Sequence, residues 1–148
     1  MAELSPVIKN RKASYDYHLM QSYTAGVVLT GTEVKSLRYG EANISDAFCQ
    51  LENEELFIRN MYIKELDQAS YFNHDPRRAR KLLLNRNEIK KISVKLKEKG
   101  ITLIPVQVFF NESGFVKIEI ALAKGKKTFD KREDVKKRDI EREMRRSE

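Results

Sequence analysis

Thr102-Leu103-Ile104-Pro105-Val106-Gln107-Val108-Phe109-Phe110, then Asn111-Glu112-Ser113-Gly114, then Phe115-Val116-Lys117-Ile118-Glu119-Ile120-Ala121-Leu122-Ala123 is the stretch that decides the fold. Two runs rich in β-branched and aromatic residues, joined by a polar tetrad that ends in glycine, read as a β-hairpin. In the second run Val116, Ile118, Ile120 and Leu122 share one face, while Lys117, Glu119 and Ala121 share the other. A period of two with one apolar and one polar face belongs to an antiparallel sheet that is covered on one side only.

Upstream the same reasoning adds strands and short helices. Tyr15, Tyr17 and Leu19 alternate with Asp16, His18 and Met20, and Ala25-Gly26-Val27-Val28-Leu29 follows, so both read as strands. Thr30 with Glu33 three residues on has capping-box spacing, and Gly40 is placed to end the helix in between. Residues 47–63 hold apolar groups on either side of Asn53-Glu54, a hairpin pattern. Asp75-Pro76 reads as an N-cap with proline at the first helical position, which predicts a short helix through residues 80–84. Asn85 with Glu88 forms a second capping box, and Leu84 with Ile89 has the spacing of a hydrophobic staple, so another helix runs from there to Gly100. The turn glycines Gly26 and Gly31 are expected at turns or caps.

Mainly β with short helices (α+β) is therefore the predicted class. Many short strands in 148 residues predict one small antiparallel, oligonucleotide-binding-like barrel with about three helices. The expected organisation is a barrel domain over residues 1–123, with 1–9 as a flexible arm, and a basic, conditionally helical tail over 124–148.

Charge narrows the partners. Lys and Arg number 29 against 22 Asp and Glu, a formal +7, and the tail alone carries 11 against 7. An excess of one sign repels itself in a compact body and attracts a polyanion: nucleic acid, an anionic membrane surface or an acidic protein. No apolar run approaches the ~20 residues of a membrane span, which points to a soluble, cytoplasmic protein. One cysteine, Cys49, excludes an internal disulfide, and it reads as a buried strand residue. His18 and His74 stand far apart outside any metal or triad pattern and read as surface or hydrogen-bonded structural groups, and no phosphate-binding glycine loop of a nucleotide hydrolase is present. A non-enzyme without metal or cofactor is the expectation.

Four basic clusters carry the nucleic-acid reading: Lys9-Arg11-Lys12, Lys35-Arg38, Arg77-Arg78-Arg80-Lys81 and Lys124-Lys126-Lys127. Several cations on one face bind phosphate backbone with salt-sensitive affinity. Tyr15, Tyr17, Tyr23 and Phe129 are candidate stacking rings, although Tyr17 and Tyr23 lie in strand patterns and suit a core. In the tail Glu133 to Lys137, Asp134 to Arg138 and Glu141 to Arg145 favour helix, but only Val135, Ile140 and Met144 line an apolar side. Such pairs contribute about 0.2–0.5 kcal/mol each, so the tail is expected to order on a partner rather than alone.

Six ordered blocks then resemble one family. They are Asn10-Arg11-Lys12-Ala13, Tyr23-Thr24-Ala25-Gly26, the run from Leu29-Thr30-Gly31 through Glu33-Val34-Lys35-Ser36-Leu37-Arg38, Ala42-Asn43-Ile44-Ser45-Asp46, Arg80-Lys81-Leu82-Leu83-Leu84-Asn85, and Ala121-Leu122-Ala123-Lys124-Gly125-Lys126-Lys127 with Asp130-Lys131-Arg132. Together they look like the SsrA-binding protein (small protein B) family. The resemblance implies a monomeric barrel that binds the tRNA-like part of transfer-messenger RNA and delivers it to stalled ribosomes. It also implies a tail that enters the empty mRNA channel at the small-subunit decoding centre. With the basic clusters, it places RNA-facing residues at Asn10, Arg11, Lys12, Lys35, Arg38, Arg80, Lys81, Leu83, Asn85, Lys124, Gly125, Lys126 and Lys127. The ribosome-contacting set is Phe129, Asp130, Lys131, Arg132, Lys136, Lys137, Arg138 and Ile140. Two departures stand out: the family usually has Glu at Thr24, and commonly His or Tyr at Phe129. Glu33 is expected to cap a helix rather than touch RNA, because phosphate repels a carboxylate.

Overall fold

A computed structural model describes residues 6–66 and 73–126. In chain order the elements are β1 (Ile8–Lys9), α1 (Ala13–Asp16), β2 (Tyr17–Val27), α2 (Gly31–Arg38), β3 (Ala42–Asn43), β4 (Phe48–Glu52), β5 (Glu55–Arg59), β6 (Tyr62–Ile63), β7 (Arg80–Leu83), α3 (Arg86–Leu96), β8 (Ile101–Phe110) and β9 (Val116–Gly125). All described pairings are antiparallel. The large sheet runs β1-β8-β4-β5-β7-β2-β9, and β9 pairs back onto β8. That return closes the sheet into a barrel, which removes the exposed edge that an open sheet of this size would leave.

The β8–β9 hairpin is the seam. Its register runs from Ile101 opposite Lys124 to Phe110 opposite Val116, with one irregularity between Pro105 and Gln107. Val116, Ile118, Ile120 and Leu122 point into the core beside Leu56, Ile58, Leu82, Leu103 and Ile92 of α3. Near its far end β9 is covered on both faces: Ala123 packs outward with Ile104, under Ala13 of α1 and the ring of Tyr17. The small side chains at Ala121 and Ala123 let that helical turn sit close to the sheet.

Four local expectations change. Residues 80–84 do not form a helix; β7 occupies them, paired on both edges, to Leu56–Ile58 and to Gly26–Val27. The reason is the inward direction of Arg80, which turns an apparently unpatterned run into Arg80 and Leu82 inside, Lys81 and Leu83 outside. Asp75-Pro76 makes a turn instead, with the Asp75 carboxylate accepting from the Arg77 N–H at 3.0 Å. Tyr15 lies in α1, and the two strands expected from 15 to 29 are one strand with a register shift between Leu19 and Ser22. Ile8 and Lys9, assigned to the arm, pair with Val108 and Gln107, and β9 continues past residue 123 to Gly125.

Other features match their reading. The β4–β5 hairpin turns at Asn53 and Glu54, both at positive φ. Gly40 ends α2 at φ +73°, where a side chain would be strained. Cys49 is buried, and burial pushes its thiol well above the ordinary range, so it is no nucleophile at neutral pH. No described helix is long and apolar enough to cross a membrane.

Candidate nucleic-acid interface

The site begins with the anchoring of α2. Thr30 Oγ1 accepts from the Glu33 N–H at 3.4 Å, and Glu33 Oε1 accepts from the Thr30 N–H at 2.8 Å, which completes the capping box. Glu33 is also fully buried, and its carboxylate accepts from Arg78 Nη2 at 2.6 Å and from Arg80 Nε. Arg80 Nη1 in turn donates to the Met61 carbonyl at 2.7 Å and Nη2 to Pro76 O at 3.1 Å. Burial by itself raises the pKa of Glu33; the hydrogen bonds from Arg78, Thr30 and Arg80 and the Arg80 charge outweigh it, leaving the carboxyl below its ordinary value. On the other side His74, also buried, bridges Thr32 Oγ1 and the Ile63 carbonyl, each at 2.9 Å. A carbonyl only accepts, so Nε2 carries a proton.

These contacts occupy the cations of one expected RNA-binding cluster and bury one of them. Arg80 is wholly buried and is a structural cation, not a surface one. Arg78 serves Glu33 as well. Arg77 stacks over the Tyr62 ring with its guanidinium carbon 5.3 Å from the centroid, and Lys81 pairs with Glu55 at 3.3 Å. Asn85 uses its side-chain oxygen to cap α3, accepting from the Glu88 N–H at 2.9 Å. Only Leu83 of that block is a large exposed apolar group, at 51%.

Leu83 belongs to a row that crosses the outside of the barrel. The registers place Leu83 of β7 beside Gly26 of β2, Gly26 beside Lys117 of β9, and Lys117 beside Phe109 of β8. The next outward row is Thr24, Glu119, Gln107 and Lys9, with Gln107 donating to Glu119 at 2.8 Å. Gly26 leaves a gap in the first row. A Cβ there would stand 3.4 Å from the Leu83 Cβ and 3.7 Å from the Lys117 Nζ. This gap is the floor of a groove of about 410 Å³ lined by Leu83, Phe115, Val34 and Leu29, with Arg38 of α2 and Lys117 among its walls. Phe115, at the exit of the β8–β9 turn, is 68% exposed. Apolar walls that can stack on an unpaired base, with a cation from each of two elements for phosphate, suit RNA.

The remaining described candidates lie elsewhere. Lys124 pairs with His18 and Gly125 with Tyr17, seven residues along β9 from Lys117, or roughly 23 Å at strand rise. Lys126 bonds α1, its N–H to Asp16 O and its Nζ to Ser14 O. Asn10 and Lys12 line a second cleft beside α1; Arg11 and Lys35 are exposed. The expected single surface is thus two regions at opposite ends of β9. Lys127 and the tail set from Phe129 to Ile140 lie outside the described residues. The sequence reading left out Lys117 and Phe115, and it put Gly26 at a turn or cap, whereas Gly26 lies within β2 on the groove floor. Among the described residues no group of three or more His, Cys, Asp or Glu could hold a metal.

A closed antiparallel barrel with an apolar outer groove set between cations has the build of a small nucleic-acid-binding barrel. Within that class the chain belongs to the SmpB protein family, whose model matches residues 7–148. An SsrA-binding protein from Cytophaga hutchinsonii is 55% identical over 94% of this chain and 91% of its own length. SsrA-binding proteins from Moorella thermoacetica and Bacteroides thetaiotaomicron are 50% and 51% identical, over 98% and 97% of this chain and 94% and 96% of their own. A solved chain described as "tmRNA-SmpB: a journey to the center of the bacterial ribosome" superposes with a TM-score of 0.71 at 46% identity, covering 83% of this chain and 86% of that one.

Proposed function

We propose that this protein binds transfer-messenger RNA and brings it to stalled bacterial ribosomes, as a cytoplasmic, non-catalytic adaptor. The observation that carries the reading is identity near half over almost the whole length of proteins named for SsrA binding, joined to the likeness to a tmRNA–ribosome structure. In this reading the Leu83–Gly26–Lys117 groove, flanked by Arg38 and Phe115, is the RNA-facing surface of the barrel. Phosphates meet Lys117 and Arg38, and an unpaired base or ribose lies on the apolar wall. The residues beyond Lys126, with Phe129, Asp130, Lys131, Arg132, Lys136, Lys137, Arg138 and Ile140, are assigned to the ribosome's empty message channel.

One experiment tests both halves. The full chain and a version ending at Lys126 are compared for binding to a tRNA-like RNA and for rescue in a reconstituted stalled-ribosome system. Binding is expected to survive truncation while rescue is lost; rescue by the short form would sink the tail assignment. Equal affinity for an unstructured RNA of the same length, at physiological salt, would instead mark a generic single-strand binder.

A further inference from the structure

Core and groove meet at α2, whose residues fall into three stripes at about 100° per residue. Glu33 and Leu37, both fully buried, form the stripe that seats the helix on the core. Val34 and Arg38 form one flank and line the groove. Thr32 and Ser36 form the other flank, and both are tied to the end of β6. Ser36 Oγ donates to the Lys64 carbonyl at 2.7 Å, and Thr32 reaches the Ile63 carbonyl through His74. A helix seated on a buried stripe can rock about it. Tying the Thr32–Ser36 flank at two points one turn apart sets the height of the Val34–Arg38 flank, whereas one tie alone leaves a pivot.

The Thr32 tie is a directed chain of hydrogen bonds. The Ile63 carbonyl only accepts, so the Nε2 proton of His74 points to it, and Nδ1 of the neutral imidazole is an acceptor. The Thr32 hydroxyl, 2.9 Å away, therefore donates to Nδ1. Its oxygen accepts from the Thr30 hydroxyl at 3.2 Å, and Thr30 Oγ1 accepts in turn from the Glu33 N–H. Every proton between Glu33 and Ile63 points the same way, so a hydroxyl that turned aside would leave a partner unmet. His74 is 4% exposed, and Asn73 fixes the backbone that carries it. The Asn73 Oδ1 accepts from the His74 N–H at 3.2 Å and the Leu66 N–H at 3.1 Å, while its Nδ2 donates to the Leu66 carbonyl at 2.9 Å. Neither Thr32 nor His74 lines the groove. We propose that Thr32 and His74 are positioning residues for RNA binding, which touch no RNA but hold α2 at the rotation that puts Arg38 and Val34 in the groove. The inference rests on the groove reading above.

The test is a double-mutant cycle in the full-length protein, read as affinity for a tRNA-like RNA at several salt concentrations, beside thermal melting. Thr32→Val keeps the shape and removes the hydroxyl. His74→Gln keeps a donor for the Ile63 carbonyl and loses the acceptor for Thr32. Thr32→Val is expected to weaken binding roughly fivefold, within the reach of one lost hydrogen bond, and to lower the salt dependence by up to about one counterion as Arg38 leaves its phosphate. In an Arg38→Ala background the same substitution should cost less than about twofold, because the residue through which it acts is gone. His74→Gln should repeat that pattern. His74→Asn, whose Oδ1 can stand in for Nδ1, should bind RNA better than His74→Gln even where it melts no higher. Additive losses for Thr32→Val and Arg38→Ala, or parental affinity in both Thr32→Val and His74→Gln, would overturn the proposal. Parental affinity in Arg38→Ala would overturn the groove reading instead, so the two failures are told apart.

Discussion

Two helices in this molecule start with the same motif and use it for opposite purposes. At α3 the Asn85–Glu88 box is exposed, with bonds of 2.9 Å and 3.2 Å that satisfy local N–H groups and do nothing more. At α2 the Glu33 side of the Thr30–Glu33 box is buried, and the same carboxylate that closes it also accepts from two arginines, Arg78 just before β7 and Arg80 at its start. A capping box therefore announces where a helix begins, but burial decides whether it is a local cap or the pin of the fold. The difference matters for function because α2 presents Val34 and Arg38 to the groove.

The largest expected effect follows from removing the pin. Glu33→Ala leaves Arg80 buried without its anion, and breaking a buried pair in this way costs about 3–5 kcal/mol. Urea melts should show it, and RNA affinity should fall with it, since α2 loses its anchor. Acid should imitate the change. Glu33 has a folded pKa held below its ordinary value of 4.5, so its contribution is complete above that value and is lost as pH falls through the depressed one. The stability gap between wild type and Glu33→Gln should accordingly narrow in strong acid and hold constant from pH 6 to 8; a gap that stays open in acid would disprove the pairing.

Legibility divides along the same line as the two helices. Signals that act within a few residues were readable: both capping boxes, the Asn53-Glu54 turn, the β8–β9 alternation and Gly40. The barrel followed from them, because so many short amphipathic strands in a small chain have few other ways to cover themselves. Contacts made across the sheet were not readable. Nothing local reveals that Arg80 points inward, since its partner Glu33 is 47 residues away, and so β7 passed for a helix. Nor does spacing reveal that Leu83, Gly26 and Lys117 are neighbours, as each lies on a different strand. Basic clusters mislead for the same reason: Arg78 and Arg80 look like surface charge until their carboxylate is found.

The groove supplies the intermediate effect and ties the α2 anchor to RNA. Gly26→Ala should be accepted with little change, since its Cβ would meet Leu83 at an ordinary 3.4 Å contact. Gly26→Val fills the floor and pushes Leu83 and the Lys117 ammonium apart. A loss of about tenfold in affinity for a tRNA-like RNA, near 1.4 kcal/mol, is expected with the melting curve little moved. Lys117→Ala should weaken binding and reduce the salt dependence by about one counterion. If both variants bind as the parent does, the RNA surface lies elsewhere on the barrel.

The smallest effect belongs to the exposed cap, and it is the control that gives the comparison its meaning. Glu88→Ala deletes half of a capping box whose other half, Asn85 Oδ1 to the Glu88 N–H, is retained because the backbone donor remains. The Asn85 N–H that Glu88 served can turn to water, since both residues stand at the surface. A loss of about 0.5–1 kcal/mol is expected, with no change in RNA affinity, as α3 lines neither the groove nor the α1 cleft. Equal losses from Glu33→Ala and Glu88→Ala would mean that Arg78 and Arg80 find other partners when Glu33 is gone, and that α2 is held by the Thr32–His74 bond and by Ser36, whose hydroxyl donates to the Lys64 carbonyl at 2.7 Å, rather than by its carboxylate.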